Sequence, residues 1–133
     1  MELIIKTSKR EELIDITNLI NKKIKINNIN KGIIHLFVPH ATAGITINEN
    51  ADTNLPKDIS DFLNKLVAKG IWMHDRTDGN ADAHIKASLI GNSVSVPFSE
   101  GALQLGTWQN IFLCEFDGPR KRKILLNFLK TTK

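Results

Sequence analysis

The chain has 133 residues, 41% hydrophobic and 24% charged, with a formal net charge of +4. That length suits a single domain with a real core, and apolar runs of only a few residues exclude a membrane-spanning helix. The charge is uneven: residues 1–31 carry seven Lys/Arg and four Asp/Glu, residues 120–133 six and none, and residues 32–119 five and ten, so the ends sum to +9 and the centre to −5. An acidic centre argues against a nucleic-acid surface, which gathers basic residues around its reading face.

Leu3-Ile4-Ile5 reads as a short strand. Residues 12–16 fit either strand or helix, with strand preferred. Thr17 is a natural N-cap for a helix through Leu19, Ile20 and Ile24, although Ser8 with Glu11 offers an earlier rival start. Residues 33–38 form a strand on which His35 shares a face with Ile33 and Phe37. Pro39 ends it and leaves His40 in a turn. Residues 44–49 form the next strand, with Glu49 displayed at its end.

Leu55, Ile59, Phe62, Leu63 and Leu66 recur at helical spacing, after cap residues at 52–54 and before Gly70. A polar loop at 74–80 follows, then a short helix at 83–90 capped by Asp82. The last third predicts a β-meander of strands at 93–98, 102–105, 108–116 and 121–128, separated by Gly-containing turns. In 108–116 one face carries Trp108, Phe112, Cys114 and Phe116, and the other Ile111 and Leu113. A strand apolar on both faces is covered on both, by another sheet, a helix or a neighbouring subunit. The sum is an α+β fold with two or three helices, filling one domain over 1–133. The single cysteine excludes an internal disulfide, and the Met-Glu-Leu-Ile-Ile-Lys-Thr start is too short and acidic for a signal peptide, so a cytoplasmic location is expected.

All four histidines lie between positions 35 and 84, in a stretch rich in Asp, Glu and Asn. His40, His74 and His84 sit at element ends in polar surroundings. Three imidazoles and a water make a workable catalytic zinc shell, with Asp78 or Asp82 orienting a ring. His35, mid-strand among apolar residues, reads instead as a hydrogen-bonded structural histidine. Cys114 reads as an inert buried thiol. Glu49 is the leading carboxylate for proton transfer, flanked by Asn48 and Asn50 as substrate ligands. Asp82 serves equally well as a helix cap or a substrate ligand. Gln109, on a partly apolar strand, needs a partner and is a candidate to face the site. Arg120, after Asp117-Gly-Pro, is the most plausible anion clamp.

These residues fall within long motifs. His40-Ala-Thr-Ala-Gly-Ile-Thr-Ile-Asn-Glu-Asn-Ala-Asp52, Gly79-Asn-Ala-Asp-Ala-His-Ile-Lys-Ala-Ser-Leu-Ile-Gly91, the Gly-Thr-Trp-Gln run ending at Gln109 and Glu115-Phe-Asp-Gly-Pro-Arg120 resemble, in order and nearly end to end, the YjbQ-like family. Its members are also called secondary thiamine-phosphate synthases. The resemblance implies a compact two-sheet α+β homotrimer with its site around His40, His74 and His84. It also implies a reaction joining a pyrimidine diphosphate to a thiazole phosphate with loss of pyrophosphate. The expectation is thus a small trimeric enzyme acting on a phosphorylated heterocycle, with zinc or magnesium held by the three histidines. A metal-dependent hydrolase and a non-enzymatic ligand-binding trimer are the rival readings.

Overall fold

The computed structural model describes residues 1–131. Eight strands and three helices follow in the order β1 (Glu2–Lys6), β2 (Glu12–Asp15), α1 (Thr17–Ile26), β3 (Lys31–Phe37), β4 (Ala43–Asn48), α2 (Asn54–Leu66), α3 (Ala81–Ile90), β5 (Ser93–Ser99), β6 (Ala102–Leu103), β7 (Asn110–Glu115) and β8 (Lys121–Lys130). A short 3-10 helix, Met73–Arg76, precedes α3. The strands form two antiparallel sheets, one ordered β1-β8-β3-β5-β6 and the other β2-β7-β4. This is the two-sheet α+β architecture that the family resemblance implies. Among the described residues no helix is long and apolar enough to cross a membrane.

Alternation builds the core between the sheets. Leu3 and Ile5 of β1, Ile34 and Leu36 of β3, Val96 and Phe98 of β5, and Ile124 and Leu126 of β8 face inward from the larger sheet. Ala43 and Ile45 of β4, and Ile111 and Leu113 of β7, meet them from the smaller one. Ile16, Ile20 and Ile24 bring α1 into the same cluster at the 3.6-residue period. A second cluster joins Phe112, Cys114 and Phe116 to Leu63 of α2 and to Ala83 and Ala87 of α3. β7 is therefore apolar on both faces because the opposing sheet covers one and two helices cover the other. No neighbouring subunit is needed to cover it.

Several local expectations are corrected. The final strands do not form one meander: β5 and β6 pair as a hairpin, β7 crosses to the small sheet between β2 and β4, and β8 returns between β1 and β3. Turn residues mark where strands end but carry no information on which sheet a strand joins. The strand expected over 108–116 begins at Asn110, and Trp108 stands outside it, exposed. Thr17 is not a cap; its amide and hydroxyl both donate to Asp15 Oδ1, and its hydroxyl accepts from the Ile111 amide. Asn80, not Asp82, is the N-cap residue of α3. His35 lies half-buried on the outer face of the large sheet, where its Nδ1 pairs with Ser95 Oγ of the facing strand at 2.9 Å.

The inert-thiol reading of Cys114 agrees with its surroundings. It is 1% exposed, and burial pushes its pKa up to about 12. We expect a thiol reagent to leave the native protein unlabelled at neutral pH and to label it fully in denaturant; rapid native labelling would contradict this packing.

Candidate functional site

One end of the sandwich gathers three chain segments. The β3–β4 loop brings His40 and Thr42, the β7–β8 turn brings Asp117 and Arg120, and the start of α3 brings Asn80 and His84. Together with Asp78 and Arg122 they line an open cavity of about 660 Å³. His40 and His84 also line an adjoining hollow of about 220 Å³. The position of α3 depends on a close approach. A Cβ at Gly44 of β4 would lie 2.7 Å from Gly91 O, so only glycine lets the helix end come this near, and the Ile45 amide donates to that same oxygen at 3.1 Å.

Beneath the cavity lies a buried ion pair. Arg122 and Glu115 side chains are 2% and 0% exposed. Arg122 Nε donates to Glu115 Oε1 at 2.9 Å, and its NH2 group donates to Glu115 Oε2 and to Thr42 Oγ1, the latter at 2.8 Å. Glu115 also accepts from Thr7 Oγ1 at 2.7 Å and from the amides of Phe116 and Asp117. A fully satisfied pair of this kind holds β4, β7 and β8 in one geometry.

His40 stands directly on this base. Its Nε2 accepts the backbone N–H of Lys123 at 2.9 Å. In the neutral ring the proton then resides on Nδ1, so the ring offers a donor rather than a second lone pair. Burial, followed by the Arg122 charge, holds the His40 pKa below the ordinary histidine value. His84 packs edge-on against His74, with ring centroids 4.7 Å apart, and His74 Nε2 lies 3.6 Å from Asp78 Oδ2. The three histidines therefore gather at one end of the fold.

The three-histidine metal shell does not fit this arrangement. The Nε2 lone pair of His40 is taken by an amide, and Nδ1 carries the proton. Among the described residues no group of three or more His, Cys, Asp or Glu side chains is arranged to hold a metal ion. A zinc or magnesium centre built from these histidines within one chain is not supported by their donor geometry.

Other expected residues lie elsewhere. Asp82 is 1% exposed and takes a two-bond grip from Arg10, with Lys86 Nζ at 3.7 Å. Burial alone would raise its carboxyl pKa, but the Arg10 bonds and charge outweigh that and lower it. This ion-pair group ties α3 to the segment before β2 and does not line the cavity. Asn48 ends β4, and Glu49 and Asn50 lie just beyond it, at the end of the strand remote from the β3–β4 loop that carries His40. There Asn48 Oδ1 accepts the Glu49 amide, and Asn50 donates to Asp15, which Asn110 also holds. Gln109 Oε1 accepts the Gly106 amide at 2.9 Å and closes a turn. Arg120 does reach the cavity, where Asp117 holds it through its carbonyl and carboxylate.

Sequence reasoning did not place Thr42, Asn80, Asp117, Glu115 and Arg122 in the site. A signal existed for two of them. Arg122 is in phase with Ile124 and Leu126, and Glu115 with Ile111 and Leu113. Opposite charges on two buried faces imply each other, because neither is stable there alone.

The fold and this site define a small two-sheet α+β protein with a histidine- and arginine-lined cavity at one end of its sandwich. The same architecture occurs in solved structures. A YjbQ/UPF0047 family protein from Clostridium acetobutylicum superposes with a TM-score of 0.90 at 46% identity, over 97% of this chain and 99% of that one. APE1520 from Aeropyrum pernix gives 0.92 at 36% identity, over 98% of each. UPF0047 protein MJ1081 of Methanocaldococcus jannaschii is 50% identical over 125 residues, 94% of this chain and 90% of its own length. The sequence model of the UPF0047 YjbQ-like proteins matches residues 1–131. The chain belongs to the YjbQ-like UPF0047 family.

Proposed function

We propose that the cavity binds a phosphorylated small molecule and that the protein is a transferase of the thiamine-phosphate synthase type. In that reaction a thiazole phosphate nitrogen bonds to the methylene carbon of a pyrimidine diphosphate. The carbon–oxygen bond to pyrophosphate breaks, and its electron pair leaves with the oxygen. The reading rests chiefly on His40: a neutral ring with Nε2 fixed on an amide keeps its proton on Nδ1, and His40 and Arg120 both line the cavity, so each can supply a donor to the departing charge. Glu49 takes no part in this reading. The test is production of thiamine phosphate and pyrophosphate from the two substrates. Equal rates from wild-type and His40→Ala proteins would sink it.

We propose a homotrimer on a surface other than β7. Phe62 and Leu66 of α2, with Ile71 and Met73 just beyond it, are 58–81% exposed and adjacent in the chain. Apolar side chains concentrated in this way suit an interface between copies. Light scattering at micromolar concentration should return three times 14.9 kDa, and the monomer mass would count against this assembly.

A further inference from the structure

We infer that Thr7 is a positioning residue of the cavity. Its hydroxyl ties the backbone of Arg120 to the buried Glu115 carboxylate and so fixes where the Arg120 guanidinium stands. The inference rests on the anion-binding reading of the cavity given above and gives a role to a residue outside its lining.

Thr7 follows β1 directly and is 7% exposed. The β1–β8 ladder pairs Lys6 with Lys121, so Thr7 stands opposite Arg120. The Thr7 amide donates to Arg120 O at 2.9 Å, as an antiparallel rung requires. The return bond differs. The Arg120 amide donates to the Thr7 side-chain oxygen at 2.9 Å, where a regular rung would use the Thr7 carbonyl. A carbonyl only accepts, whereas a hydroxyl accepts and donates at once. The one hydroxyl hydrogen has two acceptors in reach, Glu115 Oε1 at 2.7 Å and Arg120 O at 3.0 Å, and the shorter, charged partner takes it.

Glu115 thereby anchors the β7–β8 turn at both ends. Oε2 accepts the amides of Phe116 and Asp117 where the turn begins, and Oε1 reaches Arg120 through Thr7 where it ends. Between them the Gly118 amide donates to Arg10 O at 2.9 Å. A Cβ on Gly118 would lie 2.4 Å from Lys9 O and 2.8 Å from Glu115 Oε1, so only glycine passes this close. The Arg120 side chain is 51% exposed, and both its hydrogen bonds return to Asp117, Nε to the carbonyl and an NH2 to the carboxylate. The guanidinium therefore goes where the turn goes, and Thr7 holds the end of the turn from which it projects.

The test uses calorimetric titration with inorganic pyrophosphate. Thr7→Val keeps the shape and removes the hydroxyl; Thr7→Ser keeps the hydroxyl. Thr7→Val should weaken pyrophosphate binding about fivefold, the scale of one hydrogen bond, and Thr7→Ser should stay within about twofold of wild type. Arg120→Ala removes the guanidinium but leaves the amide that Thr7 holds. On that background Thr7→Val should change affinity by less than about twofold, since two residues acting through one contact are not additive. Wild-type affinity in Thr7→Val, or an equal loss on both backgrounds, would overturn the inference. Amide hydrogen exchange reads the same contact without ligand. The Arg120 amide should be protected in wild type and in Thr7→Ser and exchange at least about tenfold faster in Thr7→Val, with the Ile124 amide of the same ladder unchanged. Free exchange at Arg120 in the wild type would overturn the inference even if Thr7→Val does not fold, as would equal acceleration at Ile124. Failure of pyrophosphate to bind the wild type would defeat the anion reading. Exchange then decides for Thr7: acceleration confined to Arg120 keeps the positioning role, and its absence removes it.

Discussion

Arg122→Ala should destabilise the protein by about 3–5 kcal/mol, the cost of stripping one partner from a buried ion pair. The Glu115 carboxylate would keep the Thr7 hydroxyl and two amides but lose its buried cation. Thr42 would lose the guanidinium that holds both its carbonyl and its hydroxyl. The double variant Arg122→Met with Glu115→Leu should lose much less, because no charge is then stranded. Denaturant unfolding of the three proteins measures this directly. A loss below about 1 kcal/mol for Arg122→Ala would place the pair with exposed ion pairs and contradict its burial.

His40→Ala should reduce turnover about 10²–10³-fold, the usual effect of removing one fixed donor to developing charge. The fold should survive, because the ring is half-buried and its one hydrogen bond is to the Lys123 amide. The wild-type pH profile carries a second signature. Burial and Arg122 lower the His40 pKa, so the unfolded chain binds this proton more readily than the folded protein does. His40's contribution to stability is therefore complete above the unfolded value near ~6.5 and is lost as pH falls through the lower folded value. Activity should fall in the same window, because a protonated Nε2 faces the Lys123 N–H. An acid limb of kcat/KM at or above pH 6.5 would contradict the assignment.

Chain-local features were legible where one physical cause dominates. The apolar pattern on both faces of 108–116 marked β7 as covered on both sides, since burial on a pleated sheet enforces a period of two. At 33–38 the pattern marked a strand but not its buried face, which carries Ile34 and Leu36 rather than Ile33, His35 and Phe37. The spacing of Leu55, Ile59 and Leu63 marked α2, and Asp52 does accept the Asn54 amide at its start. The gathering of His40, His74 and His84 followed from their positions at element ends. Roles that depend on a distant partner were not legible. Asp82 has the same local sequence whether it caps a helix, binds a ligand or pairs with Arg10, which lies 72 residues away. Glu49 looked displayed because strand ends often are, yet β4 carries it away from His40.

The sequence alone therefore determined the element types, the inert cysteine and the family resemblance, which rest on periodicity or contiguous motifs, and the two-sheet class followed from that resemblance. Only the tertiary structure decided that β7 crosses to the small sheet, because strand pairing is set by contacts far apart in the chain. It decided that Glu115 and Arg122 neutralise each other beneath the cavity, because desolvation penalises each charge until the fold supplies the other. It also decided the tautomer of His40. That proton lies on Nδ1 because β8 places the Lys123 amide against Nε2, a contact 83 residues away in sequence.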